Sequence, residues 1–372
     1  MLTKNIIFNN FKFNHSSKKI LNSFRKLLKV ENEIIKSLKN SYKDSYSKKK
    51  LAKLKKYKEV VLIGMGGSVL GSRSIYSFLK DKIKKKFIFK DNFEFFKIES
   101  KNKKPLTYAK LINKANYTST VLSKVGIKKN GRVAIVLDNG PAMASLFISV
   151  ASCACIAPLN PAYKKEEFRF YLTDIGADCL IIEKDAKSLA YEVANELRIP
   201  ILFVDTKSAD IAGEFEFQNY DIENNSQPGI FSESEDLALI LHTSGTTSKP
   251  KLVPLTNKNL ITSAGNISKT LKLSSNDKCL NIMPLFHIHG LIAAILASVS
   301  AGGSIYCTEG FSALNFFSEL ENSDASWYTA VPTMHQAILS RAKRNSHIIE
   351  KIRLRFIRSS SASLPPQVMK EL

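Results

Sequence analysis

Apolar residues recur along the chain with two different periods, and the change of period divides it. Over residues 17–56, Ile20, Leu21, Phe24, Leu27, Leu28, Ile34, Ile35 and Leu38 fall at helical spacing with Lys in the outward positions, which predicts two helices. Glu59 to Ile63 then reads as a strand, Gly64-Met65-Gly66-Gly67-Ser68 as a turn, Ser68 to Lys80 as a helix and Lys86 to Lys90 as a second strand. From Tyr108 onward helix and strand take turns regularly. Leu111 to Val125 is predicted helical, Arg132 to Leu137 a strand and Pro141 to Ala154 an apolar helix, with Ile156 to Pro158 leading into a turn. Glu166 to Ile175 with Cys179 to Glu183, and Ala186 to Leu197 with Ile201 to Val204, repeat the unit. Such alternation predicts an α/β protein whose parallel sheets are covered by helices. A polar stretch, Ser208 to Glu235, links to the strand Leu237 to Leu241. Two uncharged runs, Pro141 to Tyr163 and Cys279 to Thr308, approach the length of a membrane span, but Pro, Gly, Ser, Asn and His interrupt them; they read as buried helices and strands, and no membrane span is expected.

Charge marks the same division. Residues 1–104 hold 28 Lys+Arg against 8 Asp+Glu, and residues 105–372 hold 27 against 25, so nearly all of the net +22 lies in the first quarter. A basic arm can bind nucleic acid or an anionic surface. Here the basic residues are almost all Lys, spaced among Ile, Phe, Leu, Asn and Ser without the Arg-plus-aromatic texture of nucleic-acid recognition, so a solvated Lys coat is expected and no nucleic-acid partner. The five cysteines, Cys153, Cys155, Cys179, Cys279 and Cys307, form no C-x-x-C pair and lie in apolar segments. That is reduced, cytoplasmic usage, and the N-terminus has no apolar run of signal-peptide length.

The turn at residues 64–68 admits several readings, because glycines between a strand and a helix let a phosphate approach backbone N–H groups. A dinucleotide fingerprint would need glycine where Val69 stands, although Asp91 follows at a suitable distance. A Walker loop is excluded, since no Lys-Ser/Thr follows. The segment VVLIGMGGSVLGSRSIYSFLK resembles the start of the sugar-isomerase fold of glucose-6-phosphate isomerase, over about residues 15–100. That resemblance implies a phosphosugar turn at Gly67 and Ser68. The family's Ser/Thr-rich phosphate loop and its later base and ring-opening residues have no counterpart here.

The string Thr243-Ser244-Gly245-Thr246-Thr247-Ser248-Lys249-Pro250-Lys251 follows a strand with hydroxyls, a flexible glycine and cations. Hydroxyls and N–H groups can wrap phosphate oxygens, and Lys supplies a point charge, although Ser/Thr/Gly/Pro clusters also make ordinary loops. No G-x-S-x-G elbow supports a serine hydrolase, and His287 and His289 lack an acid at the spacing of a zinc site, so no protein metal site is expected.

Five segments, in order, accompany that loop: RVAIVLDNGPAMASLFISVASCACIAPLNPAY, EEFRFYLTDIGADCLIIE, PLFHIHGL (Pro284 to Leu291), SWYTAVPTMHQ (Ser326 to Gln336) and LRFIRSSSASLPP (Leu354 to Pro366). Together with LHTSGTTSKPKLVPLT they resemble the AMP-dependent synthetase/ligase superfamily over about residues 105–372, and the H-x-H box and WYTAVPTMHQ are similar to oxalate:CoA ligases. The resemblance implies the large N-terminal domain of an adenylate-forming enzyme, preceded by a partial isomerase-like segment. It further implies ATP, Mg2+ and CoA as cofactors and a small carboxylic acid as substrate. Thr243, Ser244, Gly245, Thr246, Thr247 and Lys251 would bind phosphates, His287 would stand beside the acyl carboxylate, and Ser359, Ser360, Ser361, Ala362 and Ser363 would line adenine. His289 and His335 are candidates for the site or for structural roles.

The loop departs from the family at Ser248 and Leu252, where glycine is usual. Leu252 is expected to stiffen the loop and weaken nucleotide binding. The Tyr-Gly-x-Thr-Glu segment whose acid binds Mg2+, the ribose-binding Asp and the small C-terminal domain with its Lys do not occur before Leu372, so the chain is not expected to complete adenylation alone. Composition marks two units, which the resemblances imply to be an isomerase-like, Lys-rich domain 1–104 and a ligase domain 105–372, joined near residues 101–107 by fusion, frameshift or chimerism. Two other classes stay open: a phosphosugar-binding remnant, and a non-catalytic protein that binds anionic partners through its Lys surface.

Overall fold

The computed structural model describes residues 97–184, 186, 188–220, 229–243 and 250–372, together with residues 22, 57, 59–63, 76 and 85–90. Apart from residues 22 and 76, the expected helices of residues 17–56 and 68–80 lie outside the described residues, as do the turn with Gly67 and Ser68 and the loop residues Ser244, Gly245, Thr246, Thr247, Ser248 and Lys249.

The chain divides into two compact units, Met1–Lys90 and Asp91–Leu372. In the first, strand β1 (Glu59–Ile63) pairs in parallel with β2 (Lys86–Lys90), as the two apolar runs predict. The second unit begins ahead of the expected junction at 104. Strands β3 (Lys97–Glu99) and β4 (Leu106–Thr107) form an antiparallel pair with Ile98 opposite Leu106, and β3 also pairs with the strand at residues 304–307. Ile98 and Leu106 are fully buried, and Lys278 Nζ lies 2.8 Å from a Glu99 carboxylate oxygen. The lysines at 101, 103 and 104 that suggested a boundary therefore sit on a hairpin turn within the second unit. Composition followed surface charge, whereas the fold follows the buried side chains on either side of it.

The remaining strands are β5 (Arg132–Val136), β6 (Cys155–Pro158), β7 (Cys179–Glu183), β8 (Ile201–Asp205), β9 (Glu216–Phe217), β10 (Leu237–Thr243), β11 (Lys251–Thr256), β12 (Lys278–Asn281), β13 (Ser304–Cys307), β14 (Trp327–Ala330) and β15 (Phe356–Ser359). They build a seven-stranded sheet in the order β11-β10-β6-β5-β7-β8-β9 and a six-stranded sheet in the order β15-β14-β12-β13-β3-β4. Strands β10, β6, β5, β7 and β8 run parallel to one another, as do β15, β14, β12, β13 and β3. Antiparallel pairing is confined to the sheet edges, at β11, β9 and β4. The near-continuous apolar runs of β5 and β7 are what a strand covered on both faces requires.

The helix Pro141–Ala151 is apolar almost all round, and Leu146, Phe147 and Val150 are fully buried. It belongs to one cluster with Val133, Ile135 and Ile156 of the first sheet and Ile98 and Ile305 of the second. Burying each such side chain contributes ~1.5–3 kcal/mol, so this shared core fixes the two sheets against each other. On the other face of the first sheet, the amphipathic helix Lys165–Ile175 buries Phe168, Leu172 and Ile175. Its start is capped by Glu167, which accepts from the Lys164 N–H at 2.8 Å, and it ends at Gly176 with φ +61°, a left-handed conformation suited to glycine. All five cysteines are buried and unpaired; loss of water pushes Cys153, Cys155, Cys179 and Cys307 up to about 12.

Candidate active site

In the six-stranded sheet, β12, β14 and β15 are parallel neighbours, with Asn281 opposite Thr329, Thr329 opposite Arg358 and Ala330 opposite Ser359. Their carboxyl ends therefore emerge on one edge, the place where parallel sheets gather ligand-binding loops. From β12 the chain enters the Pro284 to His287 turn and then a helix of π geometry, His289–Leu296. From β15 it enters the loop Ser360 to Ser363, and from β14 the helix Pro332–Ala342.

Gly290 is set by close approach. A Cβ there would stand 2.5 Å from the Pro284 carbonyl oxygen, so only glycine lets the helix start this tightly against the turn. Asn139, after β5, ties the turn to the other sheet. Its Oδ1 accepts from the Leu285 N–H at 2.8 Å, and its Nδ2 donates to the Thr308 carbonyl at 3.1 Å.

The two histidines of PLFHIHGL have different environments. His287 is exposed, its ring 4.6 Å from that of Phe286, yet enough protein surrounds it to lower its pKa below the usual imidazole value. Its neutral form therefore predominates at pH 7, a hydrogen-bond donor rather than a cation. His289 is 6% exposed and lies at the centre of a network. Its Nε2 is 2.6 Å from Thr329 Oγ1 and 3.0 Å from Arg358 Nη1, and its Nδ1 is 3.1 Å from Ser361 Oγ. Because a guanidinium only donates, Nε2 is the acceptor and the proton sits on Nδ1, which donates to Ser361. Burial, with the Arg358 charge next, pulls the His289 pKa to about 4.

Arg358 also donates to Thr329 Oγ1 at 3.0 Å and to Ser360 Oγ at 3.2 Å. Ser361 has φ +74°, a left-handed conformation unusual for serine and of the kind that accumulates at functional loops. Ser359 and Ser360 are half-buried, Ser361, Ala362 and Ser363 are exposed, and the buried Ser359 hydroxyl has no hydrogen-bond partner. His335 is fully buried with its Nδ1 3.4 Å from Tyr328 Oη, a position in the core rather than at the mouth of the site.

On the seven-stranded sheet, Thr243 and Lys251 are direct partners across the antiparallel ladder of β10 and β11, and both are exposed. They flank the undescribed loop residues and hold its two ends together. Among the described residues no hydrogen bond joins this pair to His287 or to Ser359–Ser363. Leu252 pairs with His242 in the ladder, packs on the cluster containing Phe168 and Ile240, and has an ordinary strand conformation with negative φ. His242 itself lies 2.9 Å from an Asp174 carboxylate oxygen and edge-on to Tyr171.

Arg358 and Asn139 were not apparent in the sequence; the only signal was their place in segments that end at strand termini. Among the described residues no group of three or more His, Cys, Asp or Glu is arranged to hold a metal ion, and no helix is long and apolar enough to cross a membrane.

With this geometry, two parallel sheets sharing a core and loops gathered at their carboxyl edges, the fold is that of the N-terminal domain of adenylate-forming enzymes. The profile of the AMP-binding enzyme family matches residues 88–372, and the chain belongs to that family. Oxalate--CoA ligase of Arabidopsis thaliana is 39% identical over 273 residues, 72% of this chain and 52% of that protein. Oxalate--CoA ligase of Saccharomyces cerevisiae is 35% identical over 265 residues, 64% of this chain and 48% of that protein. The crystal structure of ATP-bound MatB from Rhodopseudomonas palustris superposes with a TM-score of 0.63 at 21% identity, over 80% of this chain and 56% of that one. The chain spans about half the length of the curated relatives it matches.

Proposed function

We propose that residues 91–372 form the nucleotide- and acid-binding domain of an AMP-forming acid:CoA ligase for a small, oxalate-like carboxylic acid. The observation that carries this reading is the hydrogen bond between His289 and Ser361, which joins PLFHIHGL to the Ser-rich loop 72 residues away. Two segments with no local reason to meet are built into one edge of one sheet, in the order the family uses them.

Thr243, Ser244, Thr246 and Thr247, the N–H of Gly245 and the Lys251 ammonium would hold the β- and γ-phosphates of ATP. A carboxylate oxygen of the acid attacks the α-phosphorus, forming an acyl–phosphate bond as the bond to pyrophosphate breaks. The sulfur of CoA then attacks the acyl carbon, its proton is lost to water, and AMP leaves. These residues position reactants and offset charge; none is bonded to the substrate. Neutral His287 would donate to the incoming carboxylate, and residues 359–363 would flank adenine mainly through their backbone. No carboxylate cluster for Mg2+ occurs among the described residues, and no step is assigned to the ion. The five buried thiols support a reducing, cytoplasmic setting.

The test is calorimetric titration of the full chain with ATP and AMP. Binding that weakens roughly tenfold in Lys251→Ala, the usual loss for a charge-assisted contact, supports the reading. Absence of nucleotide binding by the full chain overturns it. Pyrophosphate release with oxalate, measured with and without a relative's C-terminal domain added, then reports the activity.

A further inference from the structure

Arg358 is a half-buried cation without a counter-ion among the described residues. Its three hydrogen bonds go to an imidazole nitrogen and two hydroxyls, and among the described residues no carboxylate lies within salt-bridge distance of it. Other cations nearby are matched. Arg355, three residues earlier, donates from Nε to Asp277 at 2.9 Å, and Lys278 meets Glu99 at 2.8 Å. Withdrawing a guanidinium from water without a compensating anion is unfavourable, and neutral His289 cannot offset the charge. The surroundings are those of an oxyanion receptor: a donor-only fork, with the Thr329, Ser360 and Ser361 hydroxyls around it, held to one side by His289.

The location selects which anion. In the ligase reading polyphosphate is assigned to the hydroxyl loop between β10 and β11, and among the described residues Arg358 makes no hydrogen bond to either of those strands. His287, expected beside the reacting carboxylate, stands two residues before His289 in the same turn, and His289 is in direct contact with Arg358. A short acid held at His287 would therefore lie beside the turn that contacts Arg358. We infer that Arg358 receives the second carboxylate of a short dicarboxylic acid, making the site selective for dicarboxylates over monocarboxylates. This rests on the ligase reading above.

The experiment uses the full chain saturated with AMP and titrated with oxalate, malonate and acetate, in wild type, Arg358→Gln and Arg358→Lys. Wild type is expected to bind at least one of the two diacids at least about tenfold more tightly than acetate. Arg358→Gln is expected to erase that preference while its AMP affinity stays within about threefold, and Arg358→Lys, which keeps the charge without the planar fork, to fall between. Unliganded Arg358→Gln is expected to melt at or above the wild-type temperature, because an uncompensated cation has been removed. A preference that survives in Arg358→Gln, or a lower melting temperature, overturns the inference. AMP affinity lost as steeply as diacid affinity overturns it too, since the group Arg358 serves is then the nucleotide phosphate. Wild type that binds AMP without preferring diacids sinks the inference and leaves the ligase reading standing, whereas wild type that does not bind AMP removes both. If Arg358→Gln fails to fold, the guanidinium is structural and the inference fails with it.

Discussion

Nδ1 of His289 donates across 3.1 Å to the hydroxyl of Ser361, a serine held at φ +74°, so a buried imidazole fixes a strained turn. On its other side Nε2 can accept from Arg358 only while the imidazole is neutral, and this makes stability depend on pH. The His289 pKa is about 4 in the folded chain, and an unfolded imidazole titrates near 6.5. The contribution is complete above the unfolded value and is lost as pH falls from about 6.5 to about 4, on the order of 3 kcal/mol in all. His287 and His335, also lowered chiefly by burial, add in the same direction. Urea unfolding at pH 7.5, 6, 5 and 4.5 should show this fall, and His289→Asn should flatten it; an unchanged slope in the variant would mean that His289 does not carry the effect.

Asn139 links the two sheets through Leu285 and Thr308. Replacing it by alanine leaves an N–H and a carbonyl without that partner, at a cost of roughly 1–3 kcal/mol. Chemical denaturation measures this.

Gly290 and Gly265 give opposite outcomes for the same substitution. Gly290→Ala drives a methyl group to 2.5 Å from the Pro284 carbonyl and should lower stability by about 1–3 kcal/mol while shifting the His287 turn. Gly265 lies inside the helix Asn257–Thr270, and nothing stands within 4 Å of the place a methyl group would take, so Gly265→Ala should add ~0.5–1 kcal/mol. Thermal melts of the two variants decide the matter by sign.

Leu252→Gly tests whether this side chain restrains the phosphate loop. Because Leu252 sits in the ladder with negative φ and packs on the Phe168 cluster, glycine there should destabilise the chain by ~1–2 kcal/mol without tightening ATP binding. A gain in ATP affinity would show instead that the leucine hinders the loop.

Much of the second unit was legible because its signals are local. The apolar runs of β5, β7 and β8 and the amphipathic helix Lys165–Ile175 lie where period and composition place them, and Pro254 within β11 is tolerated because β11 is an edge strand. The network around His289 was not legible, since its partners lie 40, 69 and 72 residues away and only strand register brings them together. Arg358 reads like the third of a series of surface arginines with Arg353 and Arg355, and only its hydrogen-bond partners set it apart from them. The start of the second unit differs for the opposite reason: the charge balance changes after residue 104, whereas the fold follows two buried apolar residues, Ile98 and Leu106, on either side of that change.

The β3–β4 hairpin has a practical consequence for anyone shortening this chain. A version begun at Tyr108 would remove both strands and bare the β13 edge at Ile305 and Tyr306, whose backbone β3 now occupies. An uncovered apolar edge invites pairing between molecules, so such a version should precipitate where one begun before Asp91 stays in solution.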